Sequence, residues 1–542
     1  MGNIIDCCPK SKNTDEFNMI NKNNNNLPQS FIDINDVRTA NVIIKREENP
    51  WEYYTEIEKL GSGTFGVVKK VKHNASGLIR SIKIIPIKNI RSGMTKEQIN
   101  NEFQILRHLD HPNIMKIYEL YEDKENFYIV SEFCDQGDLF GKLKKLRYMN
   151  ELVVKFLMMQ ILGAINYLHS KEVLHGDIKL ENILIYTASE KLKKRFTLLS
   201  QDDLASQLLN LKKNKLNKKT QEYIDSMHNY EIKLIDFGCS RIFKQNLKLL
   251  SIKEEDDILG TSLYCSPEVI DNRYSLKCDE WSCGVLMYIL LSGYAPFEGK
   301  NEAEIFKKAK RGLFNFYHEG FKNVSENAKD LIKQLLIVET DKRITAENAL
   351  KHPFFTENFN PSLINLNEKE IDILKQLPKI KEYGKFQQAV ISYLTMNFLN
   401  KDDEKILRDI FRYIDKSNDN YITKDDLKQC FDEQKIEYND EEIDKIFKIL
   451  DSDNNDYIEY QEFIRALVNK EELFSENNLK AAFDFFDEDN SGNVNWNDIN
   501  TILFQKRGVK EDVIKEYLEE IDMKKEDSMN FEQFKNIMRK CI

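Results

Sequence analysis

A short stretch near the middle of the chain carries groups that could move a phosphoryl group. Residues 175–182 (HGDIKLEN) place a carboxylate, Asp177, a cation, Lys179, and an amide, Asn182, close together. A second carboxylate, Asp236, follows in the triplet Asp-Phe-Gly. Carboxylate and amide oxygens bind Mg²⁺, and a cation beside them can neutralise a moving phosphate. The spacing therefore points to chemistry on a phosphorylated substrate.

A glycine-rich turn lies upstream of this cluster. Residues 61–68 (GSGTFGVV) follow a strand-like stretch that ends at Leu60. Glycines let the backbone approach phosphate oxygens that a Cβ atom would push away. The pattern alone is often an ordinary turn, or a dinucleotide site if a helix follows at once. Here another strand-like run follows, which disfavours the dinucleotide fold.

Two opposite charges come next along the chain. Lys83 ends the run Ser81-Ile82-Lys83, one strand further on, and Glu102 lies on the next helical segment. Taken singly, each is more often a surface charge. As a pair they suit the site, because a cation held by a carboxylate can grip nucleotide phosphates without losing its place.

In this order the motifs resemble those of the eukaryotic protein kinases, over roughly residues 51–355. The resemblance implies that Asp177 accepts or orients the substrate hydroxyl proton and that Lys179 neutralises the transferred phosphoryl group. It implies that Asn182 and Asp236 hold Mg²⁺ and that ATP is the co-substrate. The expected ATP-binding residues are Leu60, Gly61, Gly63, Gly66, Val68, Lys83, Glu102, Ser131, Glu132 and Cys134.

The resemblance carries further expectations. Lys179 and Thr261 are typical of kinases that act on serine and threonine, and Arg343 is placed to pair with Glu268. Ser131 is a small residue before the hinge, which predicts a nucleotide pocket open to bulky inhibitors. Carboxylates at Asp138 and Glu181 predict substrates with basic residues upstream of the acceptor. Asp279 is expected to open a large buried helix and to be structural.

Three departures from the kinase pattern stand out. Gly176 replaces the arginine that usually clamps a phosphorylated activation loop, so we expect activity without a loop phosphate. An acidic run at 254–257 could stand in for that phosphate, although runs of this kind are more often simply solvated. An insertion at about 187–230 contains lysines and regularly spaced leucines. It is either a docking arm or a tolerated surface elaboration.

The last quarter of the chain repeats acidic loops that begin at Asp415, Asp451, Asp487 and Asp522. An EF-hand loop needs oxygen ligands at positions 1, 3, 5, 7, 9 and 12, and the first three loops supply them. The expected calcium ligands are Asp415, Ser417, Asp419, Tyr421 and Asp426 in the first loop, Asp451, Asp453, Asn455, Tyr457 and Glu462 in the second, and Asp487, Asp489, Ser491, Asn493 and Asp498 in the third. Position 9 is filled by Thr423, Glu459 and Asn495 in the three loops.

These loops are not equivalent. The second ends in Glu462, whereas the first and third end in Asp, which reaches the ion less easily in bidentate fashion and favours weaker binding. Asn420 and Asp456 replace the usual glycine at position 6, as residues that visit the left-handed region can. The fourth loop carries Lys524 and Gln533 at ligand positions, so we expect a structural partner without an ion.

Charge and composition limit the remaining possibilities. Residues 401–542 carry a net charge of −15 against −11 for the whole chain, which leaves +4 for residues 1–400. This asymmetry suits cation binding at the C-terminus and argues against nucleic acid as a partner. Nine cysteines without a metal-binding pattern favour a reducing, cytoplasmic location.

The N-terminus suggests a membrane anchor. Gly2 directly follows the initiator methionine, and Cys7 and Cys8 are adjacent, so a myristoyl group and palmitoyl groups would give two attachments. Asp6 stands where the acylation pattern prefers Ser or Thr. The alternative is a plain disordered leader over residues 1–50, which the asparagine-rich stretch at 21–26 would also suit.

Kinase motifs, a junction and EF-hands in this order look like the calcium-dependent protein kinases of plants and protists. The predicted fold is multidomain α+β: a bilobal kinase at 51–355, a junction at 356–400 and an all-α calmodulin-like domain with four EF-hands at 401–542. The resemblance implies that the junction inhibits the kinase until calcium binds. A catalytically inactive kinase fold serving as a calcium-operated adaptor is the alternative.

The junction has the composition of a helix that such a domain binds. Apolar residues recur at helical spacing from Phe386 to Leu394, and three lysines, Lys379, Lys381 and Lys385, precede or begin this face. A basic segment beside an apolar face suits both a pseudosubstrate and a target helix for an EF-hand groove.

Overall fold

The computed structural model describes most of the chain. The described residues are 44–63, 66–87, 96–187, 230–243, 250–251, 262–357, 366–417, 419–452, 454–504, 519–521, 523–524 and 527–542. The expected acylation sites Gly2, Cys7 and Cys8, most of the insertion, the acidic run at 254–257, Thr261, Asp453 and Asp522 lie outside them.

The N-terminal lobe is a six-stranded sheet with the strand order β1-β5-β6-β4-β3-β2. Its strands are β1 (Ile44–Arg46), β2 (Tyr54–Gly63), β3 (Gly66–His73), β4 (Ile79–Pro86), β5 (Ile117–Glu122) and β6 (Asn126–Glu132). Strand β1 pairs parallel with β5, and the other neighbours are antiparallel. β-Branched side chains such as Val71, Ile82 and Val130 are fully buried on one face, as suits a pleated surface. Helix α1 (Lys96–Arg107) packs against this lobe.

The C-terminal lobe is mainly helical. Its helices are α2 (Leu139–Leu146), α3 (Glu151–Ser170), α4 (Pro267–Ile270), α5 (Lys277–Ser292), α6 (Glu302–Ala309), α7 (Glu326–Leu335), α8 (Ala346–Leu350) and α9 (Pro353–Thr356). Three small antiparallel pairs join β7 (Val173–Leu174) to β10 (Arg241–Ile242), β8 (Ile183–Thr187) to β9 (Tyr230–Leu234), and β11 (Leu250–Ser251) to β12 (Arg273–Tyr274).

Helices α3 and α5 pack together at the centre of this lobe. By length and hydropathy α3 could cross a membrane, but most of its side chains are buried in the kinase core, where an apolar helix is also expected. Asn150 caps its N-terminus by accepting from the Leu152 N–H. Helix α5 ends at Gly293, whose φ of +80° forms a left-handed cap.

The rest of the described chain is helical. It comprises α10 (Glu368–Leu374), α11 (Lys385–Phe398), α12 (Lys401–Ile414), α13 (Lys424–Gln434), α14 (Asp440–Leu450), α15 (Tyr460–Leu467), α16 (Lys470–Leu473), α17 (Glu476–Phe486), α18 (Trp496–Phe504) and α19 (Phe531–Arg539), with a short pair β13 (Val494–Asn495) and β14 (Ser528–Met529). The predicted fold class, a bilobal kinase followed by a helical EF-hand region, is confirmed.

A buried ion cluster joins the two halves. Glu231 on β9 is fully buried, and its carboxylate receives two hydrogen bonds from Arg412 on α12, of 2.6 and 2.7 Å. The Arg408 Nε lies 3.3 Å from the same carboxylate. Burial alone would raise the pKa of Glu231, but the two arginines outweigh it and lower that pKa to about 2. The kinase and the first EF-hand helix therefore share one desolvated charge cluster.

The expected pairing of Arg343 with Glu268 is also confirmed. The guanidinium donates to both carboxylate oxygens, at 2.6 and 3.0 Å, and both side chains are almost completely buried. Its Cζ lies 5.1 Å from the Trp281 ring centroid. This pair ties the start of α4 to the chain before α8.

We expect Arg343→Leu to lower the free energy of unfolding by about 3–5 kcal/mol, because it leaves the Glu268 carboxylate buried without its cation. Thermal and urea unfolding of the purified protein would measure this. Lys351→Leu removes one partner of an exposed pair with Glu347 and serves as the control, with little change expected. Equal stability of the two variants would contradict the structural role of Arg343.

Candidate active site and calcium-binding loops

The predicted catalytic residues meet in the turn between β7 and β8. The Lys179 Nζ lies 2.6 Å from Asp177 Oδ2, and the Asn182 Nδ2 donates to the same Oδ2 and to the Asp177 backbone oxygen, each at 2.8 Å. Asp177 and Asn182 are buried. Two donors thus fix one carboxylate oxygen, which sets the orientation of the carboxyl group.

Asp279, at the start of α5, anchors this turn. Its two carboxylate oxygens accept the backbone N–H groups of His175 and Gly176, each at 2.9 Å. The His169 ring donates to it as well, at 3.0 Å. Burial alone would lower the pKa of His169, but the charges of Glu280 and Asp279 raise it to about 10. The sequence identified Asp279 only as a structural position.

Two residues near the site have left-handed backbone conformations. Gly176 has φ of +79°, and a Cβ there would lie 2.9 Å from the Cys239 backbone oxygen. Glycine therefore suits this position on steric grounds. Asp236 has φ of +67° without being glycine, a conformation that costs energy and is concentrated at functional sites.

Lys83 and Asp236, both half-buried, form a charge group with the buried Glu102. Burial opposes the charge on Lys83, yet the carboxylates of Glu102 and Asp236 outweigh it and raise the pKa of the lysine. The Phe237 N–H donates to Glu102, which lies on α1. The expected pairing of Lys83 with Glu102 is thus present as an electrostatic interaction, and the structure adds Asp236 to it.

The glycine-rich turn joins β2 to β3. A Cβ on Gly66 would lie 1.9 Å from the Ile84 backbone oxygen, so this strand can approach β4 only with glycine. Val68 pairs with Lys83 in the β3–β4 register. Leu60 is 44% exposed, and Gly61 and Gly63 belong to β2.

The expected hinge follows β6. Ser81 on β4 faces Ser131 on β6, their hydroxyl oxygens are 2.9 Å apart, and the Ser81 hydroxyl also donates to the Glu132 backbone oxygen at 2.9 Å. The Glu132 carboxylate accepts from the Lys116 N–H and the Lys233 ammonium. Burial raises the pKa of the Cys134 thiol. No local pattern around Ser81 predicts this hydroxyl contact.

The first two calcium loops have the turn geometry that their sequences predict. Asn420 and Asp456, at position 6, have φ of +68° each. Ile422 and Ile458, at position 8, exchange two backbone hydrogen bonds and so pair the loops. Position 1 of each loop, Asp415 or Asp451, accepts backbone N–H groups of its own loop. These contacts are Asp419 N and Asn420 N to Asp415, and Asn455 N and Asp456 N to Asp451.

Hydrogen bonds hold the other described ligand residues of these two loops, and Asp453 lies outside the described part of the chain. Burial, with the charge of Asp419, holds the pKa of Asp415 well above its usual range, and burial raises the pKa of Glu462 to about 8. Carboxylates so crowded and desolvated favour a cation. In the first loop the Ser417 hydroxyl donates to Asp415 and the Tyr421 N–H donates to Asp419. In the second loop the Tyr457 N–H donates to Asn455. Asp426 and Glu462, at position 12, each accept from backbone N–H groups of their own loop.

The third loop brings Asp487, Asp489 and Asp498 together, with carboxylate oxygens within 4.8 Å of one another. Gly492, at position 6, has φ of +83°, and its N–H donates to Asp487. Ser491 donates its hydroxyl to the Asn493 backbone oxygen. These are the ligands expected from the sequence.

The fourth loop pairs with the third through β14. Gln533, at its position 12, exchanges hydrogen bonds with Asn530 and caps α19. Positions 9 and 12 of the first two loops make the same exchange, so the cap does not distinguish the fourth loop. The fourth loop differs because it has no carboxylate at position 12, which agrees with the expected structural role.

The junction helix α11 lies among the EF-hand helices. Phe386 is fully buried and contacts the rings of Phe486 and Phe534, and Tyr393 stacks on Phe485 at 4.2 Å. The apolar face expected from the sequence is therefore covered by α17 and α19. At its other end, the Asn397 side chain accepts from Arg80 of β4 at 2.7 Å.

Comparison with protein families gives three matches. Residues 54–355 match the protein kinase domain family, and residues 404–468 and 461–506 match two families of EF-hand domain pairs. The kinase match contains every residue of the catalytic cluster, and the EF-hand matches contain the first three calcium loops.

Individual relatives span both regions. The chain is 33% identical over 441 residues to calcium-dependent protein kinase 5 of Plasmodium falciparum, which covers 81% of this chain and 67% of that protein. It is 32% identical over 392 residues to calcium-dependent protein kinase 4 of Plasmodium berghei, covering 72% and 65%. It is 30% identical over 393 residues to calcium-dependent protein kinase 26 of Oryza sativa, covering 72% and 64%.

We expect the double variant Asp451→Ala, Glu462→Ala to bind about one calcium ion fewer than the unmodified protein, because it loses the first and last ligands of one loop. Isothermal titration of the full chain with CaCl₂ would give the stoichiometry. Glu433→Ala, which removes a carboxylate on α13 outside the loops, is the control. Unchanged stoichiometry in the double variant would exclude the second loop as a site.

Proposed function

This chain belongs to the calcium-dependent protein kinases, and from that premise we propose that it transfers the γ-phosphate of ATP to serine or threonine hydroxyls of proteins when calcium occupies its EF-hands. The observation that carries the proposal is the assembled catalytic turn, in which Lys179 and Asn182 hold the Asp177 carboxylate at 2.6 and 2.8 Å.

The residues divide the reaction between them. Asp177 accepts or orients the proton of the attacking hydroxyl, and its fixed oxygen leaves the other oxygen, Oδ1, for that contact. Lys179 neutralises charge on the transferred phosphoryl group. Lys83, kept charged by Glu102 and Asp236, holds the phosphates of the nucleotide. Catalysis of this kind is mainly positioning and electrostatic stabilisation.

The donor set fits Mg²⁺. Asn182 uses its amide nitrogen toward Asp177, which leaves its amide oxygen for a cation, and Asp236 supplies a carboxylate from a conformation that the surrounding turn enforces. When bound, the metal neutralises phosphate charge. The nucleotide base would lie beside Ser131 and the hinge residues Glu132 and Cys134.

The position of α11 supports a proposed mode of regulation. In this structure the helix lies with its apolar face against the EF-hands, and Lys381 donates to the backbone oxygen of Ile542. Without calcium the EF-hand groove would hold it less tightly. Our proposal is that the basic segment at 379–385 then occupies the substrate cleft and inhibits the enzyme.

Activity would not need a phosphate on the activation loop. Gly176 offers no side chain to clamp one, and its left-handed backbone disfavours any residue with a Cβ. Switching from about 1% to 99% active takes about 5.5 kcal/mol of differential binding, which several calcium sites together can supply.

We also propose a preference for basic substrates and a membrane attachment through acyl groups. Glu181 is exposed beside the catalytic turn and would favour substrates with upstream basic residues, whereas Asp138 uses one oxygen to cap α2 through the Gly141 N–H. Acylation of Gly2, Cys7 and Cys8 would attach the enzyme to membranes, and otherwise it would be cytoplasmic. A Gly2→Ala variant that stays in the membrane fraction would overturn the anchor.

We expect Asp177→Asn to lower the rate of phosphoryl transfer about 100-fold or more, since it removes the group that handles the hydroxyl proton. The assay is phosphate transfer from Mg-ATP to a basic serine peptide by unphosphorylated protein, with calcium chelated and then at micromolar free calcium. Asp271→Asn, at an exposed pair on the same lobe, is the control.

Three outcomes are informative. Activity that rises with calcium and is lost only in Asp177→Asn supports the proposed function. Equal activity with and without calcium keeps the kinase and rejects the inhibitory junction. Turnover absent in every protein would favour the alternative, a calcium-operated adaptor with a catalytically inactive kinase fold.

Phe386→Ala tests the regulation separately. It removes a fully buried ring between two EF-hand phenylalanines, so the EF-hands hold α11 less tightly, and we expect about tenfold more calcium to be needed for half-maximal activity. Phe398→Ala, at the partly exposed end of the same helix, is the matched control. An unchanged calcium response in Phe386→Ala would show that the contact of this ring with the EF-hands plays no part in activation.

A further inference from the structure

A cavity of about 440 Å³ lies beside the hinge, between the kinase and the segment that follows it. The kinase contributes residues of the N-terminal lobe, among them Arg80 of β4 and Tyr118 of β5. The other contributors include Thr395 of α11 and Lys401, the first residue of α12. Pockets that bind small molecules usually measure about 300–1,000 Å³, so this cavity is large enough for one.

The cavity is separate from the expected nucleotide site. Side chains alternate between the two faces of a strand, so Arg80 and Lys83, three positions apart on β4, lie on opposite faces of the sheet. Lys83 interacts with the carboxylates of Glu102 and Asp236, whereas Arg80 donates to Asn397 of α11. A molecule in the cavity would therefore not compete with ATP.

Two cations in the cavity wall have no counter-ion. Within the described part of the chain, no carboxylate forms an ion pair with the ammonium group of Lys116 or Lys401. All four acids that line the cavity have partners, and those of Glu132 and Glu404 are cations, at 2.9 and 3.5 Å. Burial lowers the pKa of Lys116, although more distant carboxylates oppose it. A desolvated cation without a counter-ion favours an anion.

Two buried polar atoms in the same wall also lack partners. The Thr395 hydroxyl and the Arg80 Nε have no hydrogen-bond partner among the described residues, and both side chains are more than nine-tenths buried. A buried polar group left without a partner costs free energy, and most such groups in native proteins are satisfied by water or a ligand. These two atoms therefore mark the cavity as a place where a polar molecule binds.

Aromatic rings supply the apolar part of the wall, and they come from Tyr118, Phe133 and Tyr186. The Lys401 ammonium lies 5.7 Å from the Tyr186 ring centroid, and the Arg80 Cζ lies 3.9 Å from that of Tyr118. Rings and cations thus alternate along the wall. A ligand with a flat ring and a negative group matches both, because the ring can pack on the aromatic side chains while the anion meets the cations.

We propose that this cavity is a binding site for a small aromatic anion, a planar ring that bears a carboxylate. The ammonium groups of Lys116 and Lys401 hold the carboxylate, and the aromatic side chains of the wall pack on the ring. The site uses neither the nucleotide site nor a calcium ligand, so it does not rest on the proposed function. Because the kinase, α11 and α12 all line the cavity, the ligand also stabilises the arrangement in which they lie together.

The test is a titration of the full chain with 2-naphthoate by isothermal calorimetry, in saturating CaCl₂. We expect about one equivalent to bind with a Kd of about 0.1 mM or tighter, as suits a ligand of this size. Acetate, which has the charge without the ring, and 2-naphthol, which has the ring without the charge, should each bind at least about tenfold more weakly. Equal binding of 2-naphthol would show that the cations play no part and would overturn the anion site.

Variants of the two lysines locate the site. Lys116→Met and Lys401→Met should each weaken 2-naphthoate binding about tenfold, because each removes a cation that the carboxylate meets. Neither should lower the unfolding midpoint, since the charge that is removed has no counter-ion in the protein. Lys124→Met removes an exposed ammonium from the turn between β5 and β6, and as the matched control it should bind 2-naphthoate like the unmodified protein.

Absence of 2-naphthoate binding, or equal binding by the two lysine variants and the control, would overturn the proposal. Repeating the titration with Mg²⁺ and a non-hydrolysable ATP analogue should leave the affinity unchanged. Displacement of 2-naphthoate by that analogue would place the probe in the nucleotide site and would equally overturn it. Because the readout is binding of 2-naphthoate, an unmodified protein without kinase activity would count against the proposed function and not against this site.

Discussion

The carboxylate of Glu231 lies where water does not reach, and much of the molecule is arranged around it. A desolvated charge of this kind must be paired, and its partners are Arg412 and Arg408 of the first EF-hand helix. The helix is therefore fixed against the β8–β9 hairpin, which follows the catalytic turn. From there the chain places Asn397 beside Arg80 of the N-terminal lobe, and the calcium loops beside α3.

Carboxylates accept hydrogen bonds from backbone N–H groups both at the catalytic turn and in the calcium loops. Asp279 holds the catalytic turn by accepting two backbone N–H groups, and the first aspartate of each calcium loop does the same within its loop. Backbone donors cost no side-chain entropy and can fix a carboxylate before a cation arrives. Both sites are thus partly organised by the chain itself, and the ion completes them.

Local patterns in the sequence predicted most of the catalytic site, the calcium loops and the apolar face of α11. The catalytic residues 177–182, the glycine-rich turn and the left-handed Asn420 and Asp456 all depend on short spacings, so type and position were enough. The same holds for the apolar face of α11, which follows helical periodicity. These features are set by neighbours within a few positions along the chain.

Such patterns could not predict contacts between residues that are far apart along the chain. Glu231 meets Arg412 across 181 positions, and Lys171 meets Glu459 across 288. Nothing in the local sequence of either residue marks the other, because each pairing depends on how whole elements pack. The hydroxyl contact of Ser81 with the Glu132 backbone is a similar case, because it depends on the register between β4 and β6 and not on a local pattern.

Gln533 gives the C-terminal pair of loops a different thermodynamic role from the first pair. It stands at position 12 of the fourth loop, where the first two loops carry Asp426 and Glu462, so the fourth loop brings no carboxylate to that position. Strand β14 of the fourth loop nevertheless pairs with β13 of the third. The conformational entropy lost on ordering the fourth loop is therefore offset by contacts within the protein and not by an ion. A calcium pulse would act on this half through the third loop, and the fourth would transmit the change as a fixed partner.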